Sequence, residues 1–319
     1  MEQVQLRSLQ VSRIGLGCMP LTTTYGRPNP RNAMATVRTA LAEGITLFDT
    51  ADMYGAGENE RLLGRALGHH RKDVVIASKL GIVAMPGLGV PLGLNARPAR
   101  VKKCVENSLR RLGTDYLDLL YLHRVDPSVP IEETIGTMAE FVSKGLVREI
   151  GVCEVTPEQL SRAHATHPIA AMQSEWSIFT RGIEEGSRQE AKRIGAAVVA
   201  YSPLGRGMLT GASRATTNLA LLDVRRFLPR WRRQNLARNL AAVELIRDVA
   251  HSLRCTSAQA ALAWVLQKGS DVIPIPGTAN PMHLRSNIAA SDITLPREAR
   301  EKLDSMQASG DRGEGFGRN

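Results

Sequence analysis

Short apolar runs alternate with helix-like segments along most of the chain, and this alternation constrains the fold more than any other feature. Eight runs have the length and composition of β-strands. Alternation of this kind is typical of βαβ units and therefore of a parallel sheet. The predicted strands are 14–17, 46–48, 74–77, 118–122, 149–152, 171–173, 197–201 and 272–275.

Eight strands with intervening helices predict an α/β fold, the (β/α)8 TIM barrel, rather than an open doubly wound sheet. The length of 319 residues fits one such barrel, so we expect residues 1–319 to form a single domain. No Gly-x-Gly-x-x-Gly sequence opens a first helix, which counts against a Rossmann fold. Two further apolar runs, 4–6 and 9–11, predict a β-hairpin ahead of the first barrel strand.

The segments between the strands carry helix signals. Segment 101–112 places its apolar residues on one helical face, and 156–159 has the pattern of an N-terminal capping box. Long connections in a barrel are functional or disordered more often than short ones. Three long connections stand out, namely 78–97, 204–239 and 307–319. The last is Gly-rich, and we expect it to fray.

Four polar side chains follow or end predicted strands. Asp49 and Tyr54 come after the second strand, Lys79 after the third, and His123 after the fourth. In a barrel of parallel strands these positions fall on one rim, where the chemistry of such folds is found. Taken singly, each has a simpler explanation: a strand cap, a packed aromatic, a surface lysine and a satisfied histidine. Together, a carboxylate, a phenol, an ammonium and an imidazole can protonate a carbonyl oxygen.

Three ordered motifs also resemble the signatures of the aldo-keto reductases, in particular the branch related to the potassium-channel β subunits. The first covers 48–55 and 58–64, the second runs from 109 to His123, and the third is 275–278. The resemblance extends from about residue 14 to residue 287. It implies a barrel plugged at its bottom by the N-terminal hairpin, and hydride transfer from a nicotinamide cofactor to a carbonyl.

The resemblance also implies a role for each of the four rim residues. Tyr54 would donate the proton, and Lys79 would lower the pKa of the phenol. Asp49 would hold Lys79 charged and in place. His123 would point an N–H at the carbonyl oxygen. All four residue types are present, so we expect an active enzyme and no metal.

The same resemblance predicts a set of cofactor-binding residues. Cys153 stands where the family usually has serine, and a thiol is the weaker hydrogen-bond donor. Tyr201 would stack on the nicotinamide, and Arg206 would face the pyrophosphate. The predicted set comprises Met19, Cys153, Gln173, Tyr201, Ser202, Leu204, Gly205, Arg206, Gly207, Gly277, Thr278, His283 and Asn287.

The cofactor is expected to be NADP, with NAD kept open. After 276–278 the family usually places Lys or Arg for the 2′-phosphate, whereas this chain has Ala279-Asn280-Pro281. Arg285 is either a further phosphate contact or a helix-surface arginine. Substrate contacts are expected from Tyr25 and Trp176, with Met85 and Phe179 nearby, although Trp176 and Phe179 also suit a plain core. Small aldehydes, ketones or open-chain sugars are the expected substrates.

Composition limits the remaining classes. The net charge is +10, and the arginines of 225–238 form a basic cluster. We favour a solvated basic face over a nucleic-acid site, because no nucleic-acid motif accompanies the cluster. Four separated cysteines without a Cys-x-x-Cys pair argue against structural zinc or disulfides. With no long apolar run and no signal-peptide pattern, a cytoplasmic protein away from the membrane is expected.

Two other functions remain open at this level. One is a nicotinamide-binding regulatory subunit with slow turnover. The other is a dehydrogenase that oxidises a sugar or alcohol, because the same four groups serve both directions. The sequence leaves the physiological substrate and the oligomeric state open.

Overall fold

The fold is given by a computed structural model that describes residues 1–22, 25–26, 28–85, 87, 89–220 and 223–313, apart from the side chains of 213 and 214. All eight predicted barrel strands are confirmed. The strands are β1 (Gln3–Leu6), β2 (Leu9–Ser12), β3 (Leu16–Gly17), β4 (Leu47–Asp49), β5 (Val75–Leu80), β6 (Ile82–Ala84), β7 (Pro91–Leu94), β8 (Leu117–Leu122), β9 (Val147–Cys153), β10 (Ile169–Glu175), β11 (Ala197–Tyr201) and β12 (Val272–Ile275).

Eight parallel strands form the barrel in the order β3, β4, β5, β8, β9, β10, β11, β12. A parallel bridge between Gly17 and Gly277 links the two ends of the sheet. Glycine is required on both sides of this closure. A Cβ on Gly17 would lie 2.7 Å from the carbonyl oxygen of Ile275, and one on Gly277 would lie 2.8 Å from Cγ of Pro20. The barrel is therefore closed through close backbone contact.

The predicted N-terminal hairpin is also present. Strands β1 and β2 pair antiparallel from Gln3 opposite Ser12 to Leu6 opposite Leu9. Leu6 and Val11 are fully buried and pack with barrel residues such as Leu119. Because these apolar side chains share one cluster with the barrel interior, the hairpin plugs the barrel, as expected.

The helices surround the sheet and bury their apolar faces against it. In the helix over the predicted segment 101–112, Val101 and Val105 are buried while Lys102 is exposed. The capping box also forms, since Oγ1 of Thr156 accepts from the Gln159 amide at 3.2 Å and Oε1 of Gln159 accepts from the Thr156 amide at 3.0 Å. The helices are α1 (Pro30–Ala42), α2 (Glu58–Leu67), α3 (Pro98–Leu112), α4 (Ile131–Ser143), α5 (Pro157–Thr166), α6 (Ser187–Arg193), α7 (Ser213–Thr216), α8 (Arg233–Ser252), α9 (Ser257–Leu266), α10 (Pro281–Ile288) and α11 (Arg297–Asp304). Within the ranges described, no helix has the length and hydropathy needed to cross a bilayer.

The long connections hold more structure than the sequence indicated. Segment 78–97 first completes β5 and then forms the antiparallel hairpin of β6 and β7. Its Gly and Pro content masked the strand signal, because both residues are depleted in strands. Segment 204–239 contains α7, several single turns and the start of α8 at Arg233.

The basic cluster of 225–238 is not one solvated face, which corrects the expectation. Arg225 and Arg230 are buried. Arg225 donates to Asp223 at 2.6 Å, and Arg230 donates to the carbonyl of Phe179 at 2.6 Å. The other arginines of the cluster are exposed, namely Arg226, Arg232, Arg233 and Arg238. The buried pair is held by internal acceptors, which a charge count along the sequence does not register.

The C-terminal segment contacts the barrel where fraying had been expected. The Ser309 amide donates to Oδ1 of Asn239 at 2.7 Å, and Nδ2 of Asn239 returns a bond to the Ser309 carbonyl at 2.9 Å. Arg312 is only 7% exposed. Ser309, Gly310 and Arg312 therefore make specific contacts with the rest of the chain, and residues 314–319 lie outside the described part of the chain.

Candidate active site

The structure brings the four predicted rim residues together at the carboxyl ends of neighbouring strands. Asp49 ends β4, Lys79 lies one residue before the end of β5, and His123 directly follows β8. Tyr54 begins a tight turn shortly after β4, in which Gly55 and Ala56 both have positive φ. Because the strands are adjacent and parallel, side chains far apart in sequence meet on this rim.

Lys79 and Asp49 form a buried ion pair at the base of the site. Nζ of Lys79 contacts Oδ1 of Asp49 directly and also donates to the Thr50 carbonyl at 2.8 Å. Burial alone would lower the pKa of Lys79, but the Asp49 carboxylate outweighs it and holds that pKa above its ordinary value. Lys79 is therefore a cation at neutral pH.

Tyr54 lies near both the ammonium of Lys79 and the imidazole of His123. Nζ of Lys79 is 5.4 Å from the centre of the Tyr54 ring. The rings of Tyr54 and His123 are 6.1 Å apart and nearly perpendicular at 81°. Burial raises the pKa of Tyr54 to about 12, although Lys79 acts to lower it. Lys79 thus acts on the pKa of Tyr54 in the expected direction, but burial outweighs it, and the phenol is protonated at neutral pH.

His123 is buried and neutral. Burial lowers its pKa well below the ordinary value, and the charges of Arg124 and Lys79 act in the same direction. Its Nδ1 has no hydrogen-bond partner among the residues described. A neutral imidazole offers a single N–H. The rim therefore presents a protonated phenol and a neutral imidazole beside a fixed cation.

The residues predicted to hold a nicotinamide lie on the opposite arc of the rim. Cys153 ends β9, and burial raises the pKa of its thiol to about 12, so it stays protonated. Nε2 of Gln173 donates to Oδ2 of Asp49 at 2.7 Å, which ties its amide to the ion pair. Tyr201 ends β11 and is partly exposed. Nη2 of Arg124 lies 3.4 Å from the Tyr201 hydroxyl oxygen.

Arg124 is a rim residue that the sequence analysis did not single out. Its position directly after His123, at the end of β8, was the signal that could have found it. Nη1 of Arg124 also donates to the His123 carbonyl at 2.6 Å.

The loop after β11 contains several residues with positive φ. Positive φ is found at Ser202, Gly205, Arg206 and Gly207. Glycine adopts this conformation most readily, and two of the four positions are glycine. Leu204 precedes this turn. The Arg206 side chain differs from expectation. Its Nη2 donates to Oε2 of Glu175 at 3.0 Å, and its Nη1 donates to the Arg312 carbonyl. The guanidinium predicted to face a pyrophosphate is thus bound to the protein itself.

The third predicted motif ends β12 and leads into α10. Oγ1 of Thr278 accepts from the Asn280 amide at 3.1 Å, and Oδ1 of Asn280 caps the helix by accepting from the Met282 amide at 2.9 Å. Within the helix His283 is exposed and Asn287 is buried. Arg285 pairs with Glu43 at 2.8 Å on the surface, which places it as a helix-surface arginine. Met19 begins the turn Met19–Leu21 after β3.

The two predicted substrate contacts have different surroundings. Tyr25 is partly exposed, and the guanidinium of Arg225 lies 4.7 Å from its ring centre. Trp176 is 1% exposed and donates its indole N–H to Glu184 at 2.9 Å. Phe179 is also buried, so Trp176 and Phe179 are core residues in this structure. Met85 is exposed after β6.

Asp52, close to Tyr54 in the chain, carries a buried oxygen with no partner among the described residues. Burial, assisted by Glu60, raises the pKa of Asp52 to about 7. A carboxyl whose pKa is raised on folding stabilises the protein below its unfolded pKa, and that stability is lost as the pH rises through the folded pKa. Asp52 therefore weakens the fold progressively from about pH 4 to about pH 7.

We predict that Asp52→Asn raises the free energy of unfolding by about 1–3 kcal/mol at about pH 8 and much less at about pH 5. The reason is that the amide stays neutral where the carboxylate must ionise while buried. Urea unfolding at the two pH values measures the difference. Asp73→Asn, at an exposed site, is the control. Equal gains for Asp52→Asn at both pH values would contradict the prediction.

The chain is similar to known proteins along most of its length. Residues 13–308 match the model of the "Aldo/keto reductase family". The chain is 42% identical over 304 residues to the "Probable aldo-keto reductase 1" of Glycine max, covering 94% of this chain and 87% of that protein.

Solved structures are similar along nearly the whole chain. A glycerol dehydrogenase from Gluconobacter oxydans superposes with a TM-score of 0.86 at 30% identity, over 95% of this chain and 94% of that one. An aldo-keto reductase from Klebsiella pneumoniae in complex with NADPH gives a TM-score of 0.74 at 28% identity, over 95% of each chain. With a family match over most of its length and a relative of this similarity, the chain belongs to the aldo-keto reductase family.

Proposed function

We propose that this chain is an NADPH-dependent reductase of small aldehydes and ketones, with Tyr54 as the proton donor. The observation that carries the proposal is the protonated phenol of Tyr54 close to both the Lys79–Asp49 ion pair and the neutral His123 on one rim. A carbonyl oxygen that gains negative charge needs hydrogen-bond donors within reach, and these residues supply them.

The chain's residues fit a dinucleotide beside this donor set. Tyr201 offers a partly exposed aromatic ring at the end of β11, and the following loop has Gly205 and Gly207 at positive φ, which would let a dinucleotide approach its backbone. The NADPH-bound Klebsiella protein has the same fold, which supports this cofactor. When bound, the nicotinamide supplies the hydride that no side chain can provide.

Each residue of the donor set has a distinct task in the proposal. Tyr54 holds the proton that the product alkoxide needs, and Lys79 stabilises the phenolate left behind. Asp49 keeps Lys79 charged inside a buried site, where an unpaired ammonium would be costly. His123 orients the carbonyl oxygen with one N–H.

The first test is consumption of NADPH and of NADH with a panel of aromatic, aliphatic and sugar aldehydes. We expect oxidation of NADPH that requires Tyr54. Dinucleotide binding without turnover would favour the regulatory-subunit alternative instead. Failure to bind either dinucleotide would reject the proposal as a whole.

Oxidation of a polyol is the second candidate, because one structural relative is a glycerol dehydrogenase. The same rim groups serve both directions, with the Tyr54 phenolate accepting the proton. Formation of NADPH or NADH from glycerol and related polyols at alkaline pH tests this candidate. It would be preferred if oxidation outpaced reduction of the corresponding aldehyde under matched conditions.

We predict that Ala279→Arg strengthens NADPH binding by about tenfold relative to NADH, which corresponds to about 1.4 kcal/mol. The position precedes the cap of α10, where a guanidinium would add a charge-assisted contact for a 2′-phosphate. Dissociation constants of both dinucleotides measure the ratio. The control is Met282→Arg, which adds the same charge at an exposed position three residues on. An unchanged ratio for Ala279→Arg would show that this segment does not line the phosphate site.

A further inference from the structure

The C-terminal segment 309–312, here called the clasp, links helix α8 to the loop after β11 and to the end of β9, both of which belong to the proposed cofactor site. Ser309 bonds to Asn239 of α8 in both directions, at 2.7 and 2.9 Å. Its hydroxyl also donates to Oδ1 of Asn235 at 3.1 Å. The carbonyl of Arg312 accepts from Arg206 in the loop after β11. The clasp is therefore anchored to α8 at one end and to that loop at the other.

Arg312 binds a carboxylate on the rim itself. Its Nη1 donates to Oε1 of Glu154 at 3.1 Å and its Nη2 to Oε2 at 2.5 Å. The side chains of Arg312 and Glu154 are 9% and 6% exposed. Glu154 directly follows Cys153 at the end of β9, has a positive φ, and accepts from the Glu175 amide at 2.7 Å. Glu154 is thus fixed next to the residues proposed to hold the nicotinamide.

A buried set of charges surrounds this pair. Glu175 is 1% exposed and lies 3.0 Å from Arg206, 3.7 Å from Arg230 and 4.0 Å from Arg312. Loss of the Arg312 side chain would leave the Glu154 carboxylate buried without its bidentate partner, and an unpaired buried charge destabilises the fold. Although burial acts to raise it, the pKa of Glu154 is lowered to about 2, mainly through its hydrogen bonds from Arg312. The pair is therefore ionised at neutral pH.

We propose that Arg312 is a positioning residue for the dinucleotide: by holding Glu154 and the Arg206 loop together, the clasp sets the affinity of the site for cofactor. This inference rests on the proposed function. The clasp acts through Glu154 and Arg206, and neither the hydride donor nor the proton donor depends on it. Its removal should therefore weaken dinucleotide binding far more than it slows the chemical step.

The test compares Arg312→Met with wild type and with Arg312→Lys. The dissociation constant for NADPH is measured by titration, and the chemical step by single turnover at saturating NADPH. We expect Arg312→Met to weaken binding about tenfold, or about 1.4 kcal/mol, with single turnover changed by no more than about twofold. Arg312→Lys should lose less NADPH affinity, because lysine keeps the positive charge although it lacks the planar guanidinium that contacts both oxygens of Glu154. The control is Arg297→Met, which removes an exposed ion pair from α11.

A double variant tests whether Arg312 acts through Glu154. If it does, the double variant Glu154→Gln with Arg312→Met should bind NADPH about as weakly as the single variant with the lower affinity. The reason is that each substitution breaks the same Arg312–Glu154 contact. If the fold-losses of NADPH affinity in the two single variants multiply in the double variant, Arg312 does not act through Glu154. The double variant also leaves no unpaired buried carboxylate at position 154, so it remains informative if Arg312→Met alone does not fold.

The outcomes separate this proposal from the proposed function. Wild-type protein that binds neither NADPH nor NADH would overturn both. Wild-type protein that binds NADPH, together with a folded Arg312→Met variant that binds it equally well, would overturn the clasp proposal alone. Equal losses of NADPH affinity in Arg312→Met and Arg297→Met would overturn it too, because the effect would then come from net charge and not from the position of Arg312.

Discussion

Tyr54→Phe is expected to lower kcat for carbonyl reduction by about 10²–10⁴-fold, the range associated with loss of a general acid. The protonated phenol near Lys79 and His123 is the proposed donor, and phenylalanine keeps its ring while removing only the hydroxyl. The affinity for NADPH should change little, since the hydroxyl is proposed as a donor and not as a cofactor anchor. Steady-state rates with a small aldehyde and dinucleotide titration measure the two effects separately.

Tyr121→Phe is a matched control for that experiment. Tyr121 lies in β8, its ring centre is 5.9 Å from the same Lys79 ammonium, and it is fully buried. A hydroxyl that solvent cannot reach cannot donate to a bound substrate, so activity should persist. Turnover by Tyr54→Phe equal to that of Tyr121→Phe would exclude Tyr54 as the donor.

Lys79→Met is expected to lower the free energy of unfolding by about 3–5 kcal/mol and to reduce activity strongly. The substitution leaves the Asp49 carboxylate buried with the Gln173 amide but without its cation. It also removes the charge that lowers the pKa of Tyr54, so the phenolate formed on proton transfer would be less stable. Urea unfolding and steady-state kinetics check the two effects.

The double variant Lys79→Met with Asp49→Asn separates stability from chemistry. Removing both charges should recover much of the lost stability, because no unpaired buried ion remains. Activity should stay low, because the cation that supports the phenolate is still absent. Recovery of full activity in the double variant would show that Lys79 contributes only through Asp49 and the fold.

Much of the barrel could be predicted because its information is local. Each strand is an apolar run a few residues long, and parallel strands in a barrel bring their carboxyl ends to one rim. The meeting of Asp49, Tyr54, Lys79 and His123 followed from that rule alone. The hairpin of β6 and β7 was missed because Gly and Pro interrupt the segment and its strands are only three and four residues long, too short to show a period.

Other features depend on contacts that no local pattern contains. Arg312 and Glu154 are 158 positions apart, and a Gly-rich segment gave no sign of a buried arginine. The direction of the Tyr54 pKa was also beyond the sequence. Proximity of Lys79 suggested a lowered value, but the balance between charge and burial depends on how completely the ring is enclosed.

The closure of the barrel between Gly17 and Gly277 has a consequence for biosynthesis. The first barrel strand can pair with the last only after the last has been synthesised. During translation, most of the sheet therefore exists with open edges that can pair with other chains. Contacts between such distant segments also slow folding, because the loop must close before the contact forms. Variants that weaken this seam should therefore reduce the yield of native protein in cells before they affect the molecules that do fold.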